Sequence, residues 1–153
     1  MLLAKDIMTR DVITIHHSAS LRELSRLLAE NKITGIPIID TEKRLVGMIS
    51  MRDLIREEVR NLGADIEHQD VHELFSSALD MEEAEGVSVK RLWVEEIMSR
   101  KLYTATETTP VQEICDIMHT HRVHRIPILR EGKLVGLVTA TDVIRTIAEG
   151  KEL

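Results

Sequence analysis

The stretch Gly136-Leu137-Val138-Thr139-Ala140-Thr141-Asp142-Val143 decides how this chain is read, because the chain carries a near copy, Gly47-Met48-Ile49-Ser50-Met51-Arg52-Asp53-Leu54. Each copy runs Gly, two apolar residues, a hydroxyl residue, two variable residues, then Asp. An apolar run that ends in Ser or Thr, with an acid three places on, predicts a strand passing straight into a helix. The hydroxyl then falls at the N-cap and the Asp in the first turn. Two polar side chains and some unpaired backbone N–H groups gather at one strand end, where a polar or anionic ligand can sit. Two copies imply two such places.

Outward from these copies the repetition continues. Ile97-Met98-Ser99-Arg100 repeats Ile7-Met8-Thr9-Arg10 at an offset of 90, and Thr104 repeats Thr14. Pro110-Val111-Gln112-Glu113 stands where the first half has Ser20-Leu21-Arg22-Glu23, and Ile126-Pro127-Ile128 where it has Ile36-Pro37-Ile38. After the following turn the offset falls to 89, a one-residue deletion of the kind turns accept. In the first half, Val12–Ile15 suits a strand. Ser20 and Glu23 form a capping box ahead of a helix with Leu21, Leu24, Leu27 and Leu28 on one face. Gly35–Asp40 reads as a buried strand, with Pro37 keeping it near an edge or a strand start. Asp40–Arg44 is a polar turn, Leu45–Ile49 the partner strand, and Ser50–Asp53 the start of the next helix. The order is β-α-β-β-α, twice.

The fold class expected is therefore α+β, built from two α/β-type repeats related by a pseudo-twofold and packed through their sheets. One unit is too small to bury its own sheet well, so the pair is the folding unit. Repeat 1 spans residues 1–58, a helical insertion or linker 59–91, and repeat 2 residues 92–149. Within the insertion, Gly63 is expected to stop the preceding helix. Asp70–Leu79 has the apolar spacing of an amphipathic helix and carries the sole Phe, Phe75. Glu82–Ser88 reads as an acidic loop, and Val89–Met98 as a helix bearing Trp93.

Composition narrows the function. The 153 residues are 43% hydrophobic but only 2% aromatic, so the core is aliphatic. A net charge of −6 without a basic stripe argues against nucleic acid as the main partner. The single cysteine, Cys115, excludes an intrachain disulfide and fits a reducing compartment. It lies in a helical apolar pattern and reads as a core thiol rather than a nucleophile. Lys5, Asp6 and Arg10 interrupt the N-terminus too early for a signal peptide, and no apolar run approaches the ~20 residues of a membrane span. A cytoplasmic location is expected. No Ser-His-Asp or Cys-His spacing argues for catalysis. His68 and His72, and His119, His121 and His124, raise a metal reading, but Cys is nearly absent and His119 and His121 point to different helix faces, so none is expected. Taken singly, Asp53 and Asp142 read as first-turn helix stabilisers.

The joint pattern resembles the CBS domain, the β-α-β-β-α regulatory module named after cystathionine beta-synthase, and two copies resemble a CBS pair, or Bateman module. The resemblance rests on Ile7-Met8-Thr9 and Ile97-Met98-Ser99, the Ile-Pro-Ile strands and the two Gly-x-x-Ser/Thr-x-x-Asp segments. It implies a non-enzymatic module that senses AMP, ADP, ATP or S-adenosylmethionine and passes the bound state to a partner protein. The means would be a change in the angle between repeats or ordering of residues 56–91. It also implies a homodimer. By this resemblance, one cleft takes adenine between Thr9, Thr14, Ile33 and Gly35, with Ile36 and Pro37 on the gripping strand. Ribose and phosphate go to Thr139, Thr141 and Asp142. The pseudo-symmetric cleft uses Ser99, Thr104, Val123 and Arg125 with Ser50 and Asp53. His124 and Arg125 resemble the His-Arg pair by which some members hold phosphate. The clefts differ, since repeat 1 has Thr34 and Gly35 where repeat 2 has His124 and Arg125, and Arg52 where repeat 2 has Thr141; the one built on Asp142 is expected to bind more tightly. The alternative is a structural or dimerisation module whose clefts are empty.

Overall fold

The computed structural model describes residues 1–62 and 93–153. The expectations for Gly63, for the Asp70–Leu79 helix with Phe75, and for His68 and His72 lie outside these residues. The elements of the first half are α1 (Ala4–Ile7), β1 (Ile15–His16), α2 (Leu21–Asn31), β2 (Gly35–Ile39), β3 (Leu45–Ser50) and α3 (Met51–Leu62). Those of the second are α4 (Val94–Ile97), β4 (Ala105–Thr106), α5 (Val111–His121), β5 (Arg125–Arg130), β6 (Lys133–Thr139) and α6 (Ala140–Ala148). The described residues form two three-stranded sheets, β1-β2-β3 and β4-β5-β6. In each, the first strand runs parallel and the third antiparallel to the middle one. Two mixed α/β repeats of the expected order are therefore present.

The helix starts form where the capping signals stand. Glu23 N–H donates to Ser20 Oγ at 3.2 Å, and Ser20 N–H to Glu23 Oε2 at 2.7 Å. Three sequence readings change. The strand expected over Val12–Ile15 is only Ile15–His16, because pairing with β2 begins at Ile15↔Ile38 and the residues before it run free of the sheet. Pro37 sits in the middle strand of its sheet rather than at an edge. It is tolerated because β1 reaches β2 only at Ile38 and Ile39, leaving no partner strand beside Pro37 on that side. Of the helix expected over Val89–Met98, only the part from Trp93 is described: Val94–Ile97 is one helical turn with Trp93 extended at its N-cap, while residues 89–92 and the expected Glu82–Ser88 loop lie outside the described residues.

The two repeats exchange their leading segments. The core of the first sheet contains Leu24, Leu28, Ile36, Ile38 and Ile49, and is completed by Val94 and Met98 from the lead of the second half. The core of the second contains Val111, Ile114, Ile126, Ile128 and Val138, and is completed by Ala4 and Met8 from the lead of the first. Backbone bonds fix each crossing. Thr9 and Leu137 exchange N–H···O bonds of 2.9 and 3.0 Å, as do Ser99 and Met48. Arg44 and Lys133, counterparts at the offset of 89, pair in an isolated bridge, so the pseudo-twofold axis passes between them.

Gly136 and Gly47 are required where the leads cross. A Cβ at Gly136 would overlap the Met8 sulfur, and one at Gly47 the Met98 sulfur. Gly136→Ala and Gly47→Ala should each overpack a buried crossing and lower stability by about 1–3 kcal/mol in chemical denaturation. Alanine at the solvent-facing Gly132 supplies no such overlap, so it serves as the comparison for strain without crowding.

Candidate functional site

A cavity of about 360 Å³ opens where the first lead passes the end of β6. Its size lies in the range of small-molecule sites, roughly 300–1,000 Å³. Its walls come from both repeats. The first gives Thr9, Asp11, Val12, Ile13, Lys32, Ile33, Thr34, Gly35 and Ile36; the second gives His124, Arg125, Leu137, Thr139, Ala140 and Thr141. Val12, Ile13, Ile33, Ile36 and Leu137 are an apolar lining fit for the faces of a flat ring. Thr9, Thr139 and Thr141 are hydroxyls that both donate and accept. The site exists only because Thr9 is held against Leu137 by the exchange.

The opening motif builds one rim. Thr139 caps α6, with Asp142 N–H donating to its Oγ1 at 3.3 Å. Thr139 N–H and Oγ–H in turn donate to Asp142 Oδ2 at 2.8 and 2.7 Å. Asp142 is only 7% exposed, and its other oxygen, Oδ1, faces Arg145 at 3.7 Å. The copy at Ser50 and Asp53 is alike, with Ser50 N–H and Oγ–H on Asp53 Oδ2 at 2.8 and 2.9 Å. Both carboxylates thus hold helix starts in this structure.

Of the residues expected in the first cleft, Thr9, Ile33, Gly35, Ile36, Thr139 and Thr141 come together. Thr14, Pro37 and Asp142 are not among the lining residues. Arg125, expected on the second cleft's side, lines this cavity, and His124 lines both this cavity and the more open one beside α5 and α6. Ser99 pairs with Met48, and Ser50 with Asp53, but Ser99, Thr104, Ser50 and Asp53 line neither described cavity. Val123 joins Arg52, Arg122 and His119 around a more open cavity of about 600 Å³ beside α5 and α6. Cys115 also lines it, half-buried rather than fully in the core; burial, with Asp116 nearby, pushes its thiol pKa up. Sequence reasoning gave no cleft role to Asp11, Val12, Ile13, Lys32, Leu137 and Ala140. Their position close to Thr9, Ile33 and Thr139 along the chain was the available signal.

Arg125 sets the electrostatics. Its Nη2 donates to Thr34 Oγ1, and its Cζ would stand 3.0 Å from a Cβ at Gly35. Gly35 is its counterpart at the offset of 90, so the guanidinium has crossed the pseudo-twofold into the first repeat's cleft. Burial pushes its pKa below the usual arginine value. Among the described residues it has no carboxylate within ion-pair distance. No group of His, Cys, Asp and Glu among those residues converges on a metal position.

Two paired β-α-β-β-α repeats with exchanged leads and an inter-repeat cleft define a tandem-repeat module. The CBS domain family model matches twice, at residues 4–60 and 94–149, and the chain belongs to that family as a tandem CBS pair, or Bateman module. Hypoxic response protein 1 of Mycobacterium tuberculosis is 26% identical over 149 residues, which cover 97% of this chain and 87% of that one. The CBS domain pair of protein MJ0100, solved with 5′-methylthioadenosine and S-adenosyl-L-methionine, is 26% identical, covers 99% of both chains and superposes with a TM-score of 0.72. CBSX2, solved with AMP, is 23% identical, with coverage of 99% and 100% and a TM-score of 0.75, and shares the fold. Other curated relatives are longer, and the chain spans about a quarter of their length (23–24%). No helix among the described residues is long and apolar enough to cross a membrane.

Thr139→Ala removes the α6 N-cap acceptor and a donor to buried Asp142. It should cost about 1 kcal/mol, within the usual 0.5–2 for such caps, in thermal or urea unfolding, whereas Thr139→Ser should cost less.

Proposed function

We propose that this chain is a regulatory binding module, not a catalyst, that takes an adenosine-containing ligand in the cleft between its repeats and passes the bound state to a partner protein. The observation that carries the reading is a cavity walled by both repeats, apolar along its sides and hydroxyl-bearing at the α6 N-terminus. Adenine lies between Ile33, Ile36 and Val12, over Gly35, with Thr9 beside it. The ribose faces Thr139 and Thr141, with Asp142 as the carboxylate that accepts from its hydroxyls. The CBS pair of MJ0100, with two adenosyl ligands, supports this class of ligand. Ser50, Asp53, Ser99, Thr104 and Val123 form the weaker counterpart site.

A ligand touching both repeats favours whichever relative position gives it more contact, and shifts that equilibrium only by its differential affinity. A change in the angle between repeats is then the signal. The same proposal includes a homodimer, for which Ile144 and Ile147 on α6, 65% and 55% exposed, are the supporting apolar face. Sedimentation should give twice the mass of the chain, and Ile144→Asp with Ile147→Asp should return it to one.

Calorimetry of the purified chain with AMP, ADP, ATP, 5′-methylthioadenosine and S-adenosylmethionine tests the ligand. At least one should bind, and at a hundredfold excess over Kd should stabilise the fold by about 2.7 kcal/mol. Gly35→Val fills the cleft floor against Arg125 and the Ile49 carbonyl and should abolish binding. Heat from none of the five leaves the empty structural module as the better reading.

A further inference from the structure

The more open cavity, about 600 Å³ beside α5 and α6, is unlike the first in chemistry. Its floor is aliphatic: Met118 and Val143 are buried, Val123 and Ala140 half-buried, and Ile144 forms the outer wall. Its polar groups are Arg52 from the start of α3, with His119, Arg122 and His124 from the end of α5 and the link to β5. No carboxylate, hydroxyl or amide side chain lines it. Among the described residues, none of those four side chains has a hydrogen bond or an ion pair. We propose that this cavity is a second binding site, separate from the adenosyl cleft, for a small amphipathic anion: a carboxylate on a flexible aliphatic chain, as in a medium-chain fatty acid.

The donor inventory sets the head group. Arginine only donates, so the two guanidinium groups are satisfied by a ligand group that accepts, and their planar forks match a carboxylate. The acids nearby do not serve: Asp53 and Asp142 are engaged at their helix starts, and Asp116 is exposed and does not line the cavity. Arg52 and Arg122 come from different repeats, so the head is held between them. The floor sets the tail. Beyond the basic rim a ligand meets carbon and sulfur, where any further polar group would lose water without a partner. The thioether of Met118 adapts to a chain of variable shape. A nucleoside is a poor occupant, because its ribose finds no carboxylate or hydroxyl there.

Calorimetry of the full chain with decanoate, decyltrimethylammonium (the same tail with a cationic head) and acetate (the head with hardly any tail) tests this. Decanoate should bind at least about tenfold more tightly than either. Hexanoate should bind at least about tenfold more weakly than decanoate, since it buries four fewer methylenes. Added salt should weaken decanoate. Arg52→Gln with Arg122→Gln, both at exposed positions without partners, should leave the thermal midpoint of the free chain unchanged and bring decanoate to within about threefold of the decyl cation. 5′-Methylthioadenosine should not displace decanoate. No binding of decanoate, equal binding of the two decyl compounds, a decanoate preference that survives the double substitution, or displacement by 5′-methylthioadenosine would overturn the proposal and leave the adenosyl reading in place. So would cosedimentation with phosphatidylglycerol vesicles, lost in the double variant, without binding of free decanoate, since the head group would then be a membrane's. Binding of decanoate alone, with no adenosyl ligand bound, would sustain this site and sink the other.

Discussion

Everything in this molecule depends on the crossing of its two leading segments. Met8 lies over Gly136 and Met98 over Gly47, each sulfur occupying space that any side chain at the glycine would need. Ala4 and Val94, both fully buried, follow them into the opposite cores. Neither sheet has a complete apolar face without the lead of the other repeat. A half-chain would therefore leave a core open and two buried residues without a home, which binds the repeats into one cooperative unit.

The same crossing makes the cleft. Once Thr9 is hydrogen-bonded along β6, Asp11–Ile13 must travel past the end of that strand to reach β1. They form one wall as they go. The start of β2 forms the facing wall, and the capped start of α6 the rim. The polar rim is rigid because Asp142 accepts from Thr139 twice and is itself nearly buried. Pre-formed donors and acceptors of this kind reduce the ordering a ligand must impose. Near the pseudo-twofold the symmetry fails in one place that matters: Gly35 faces Arg125, and one guanidinium ends up on one side.

Much of this was legible beforehand. The two Gly-x-x-Ser/Thr-x-x-Asp segments and the Ser20–Glu23 box are local signals, realised by hydrogen bonds that span three residues, and the Ile-Pro-Ile runs become β2 and β5. Six of the lining residues, Thr9, Ile33, Gly35, Ile36, Thr139 and Thr141, are ones that the resemblance to CBS pairs implies. What was not legible depended on contacts between distant segments. Val12–Thr14 have strand composition, yet pairing starts only at Ile15 because the crossing holds the preceding residues over the cleft. Pro37 looked like an edge residue, and is allowed in a middle strand only because β1 is so short. Arg125 belongs by sequence to the second cleft and by its side chain's reach to the first.

By itself, the sequence determined the class of fold, the doubling of the unit, the helix starts and the kind of chemistry gathered at each strand end. These follow from periodicity, capping and repetition, which act over a few residues and need no knowledge of what packs where. Only the tertiary structure decided that the leads are exchanged, that Asp142 serves its own helix start while Thr139 meets the cavity, and that Arg125 faces Gly35 across the pseudo-twofold. Those outcomes depend on which surfaces bury each other and on how far a long side chain extends, and neither quantity is written in the spacing of residues along a chain.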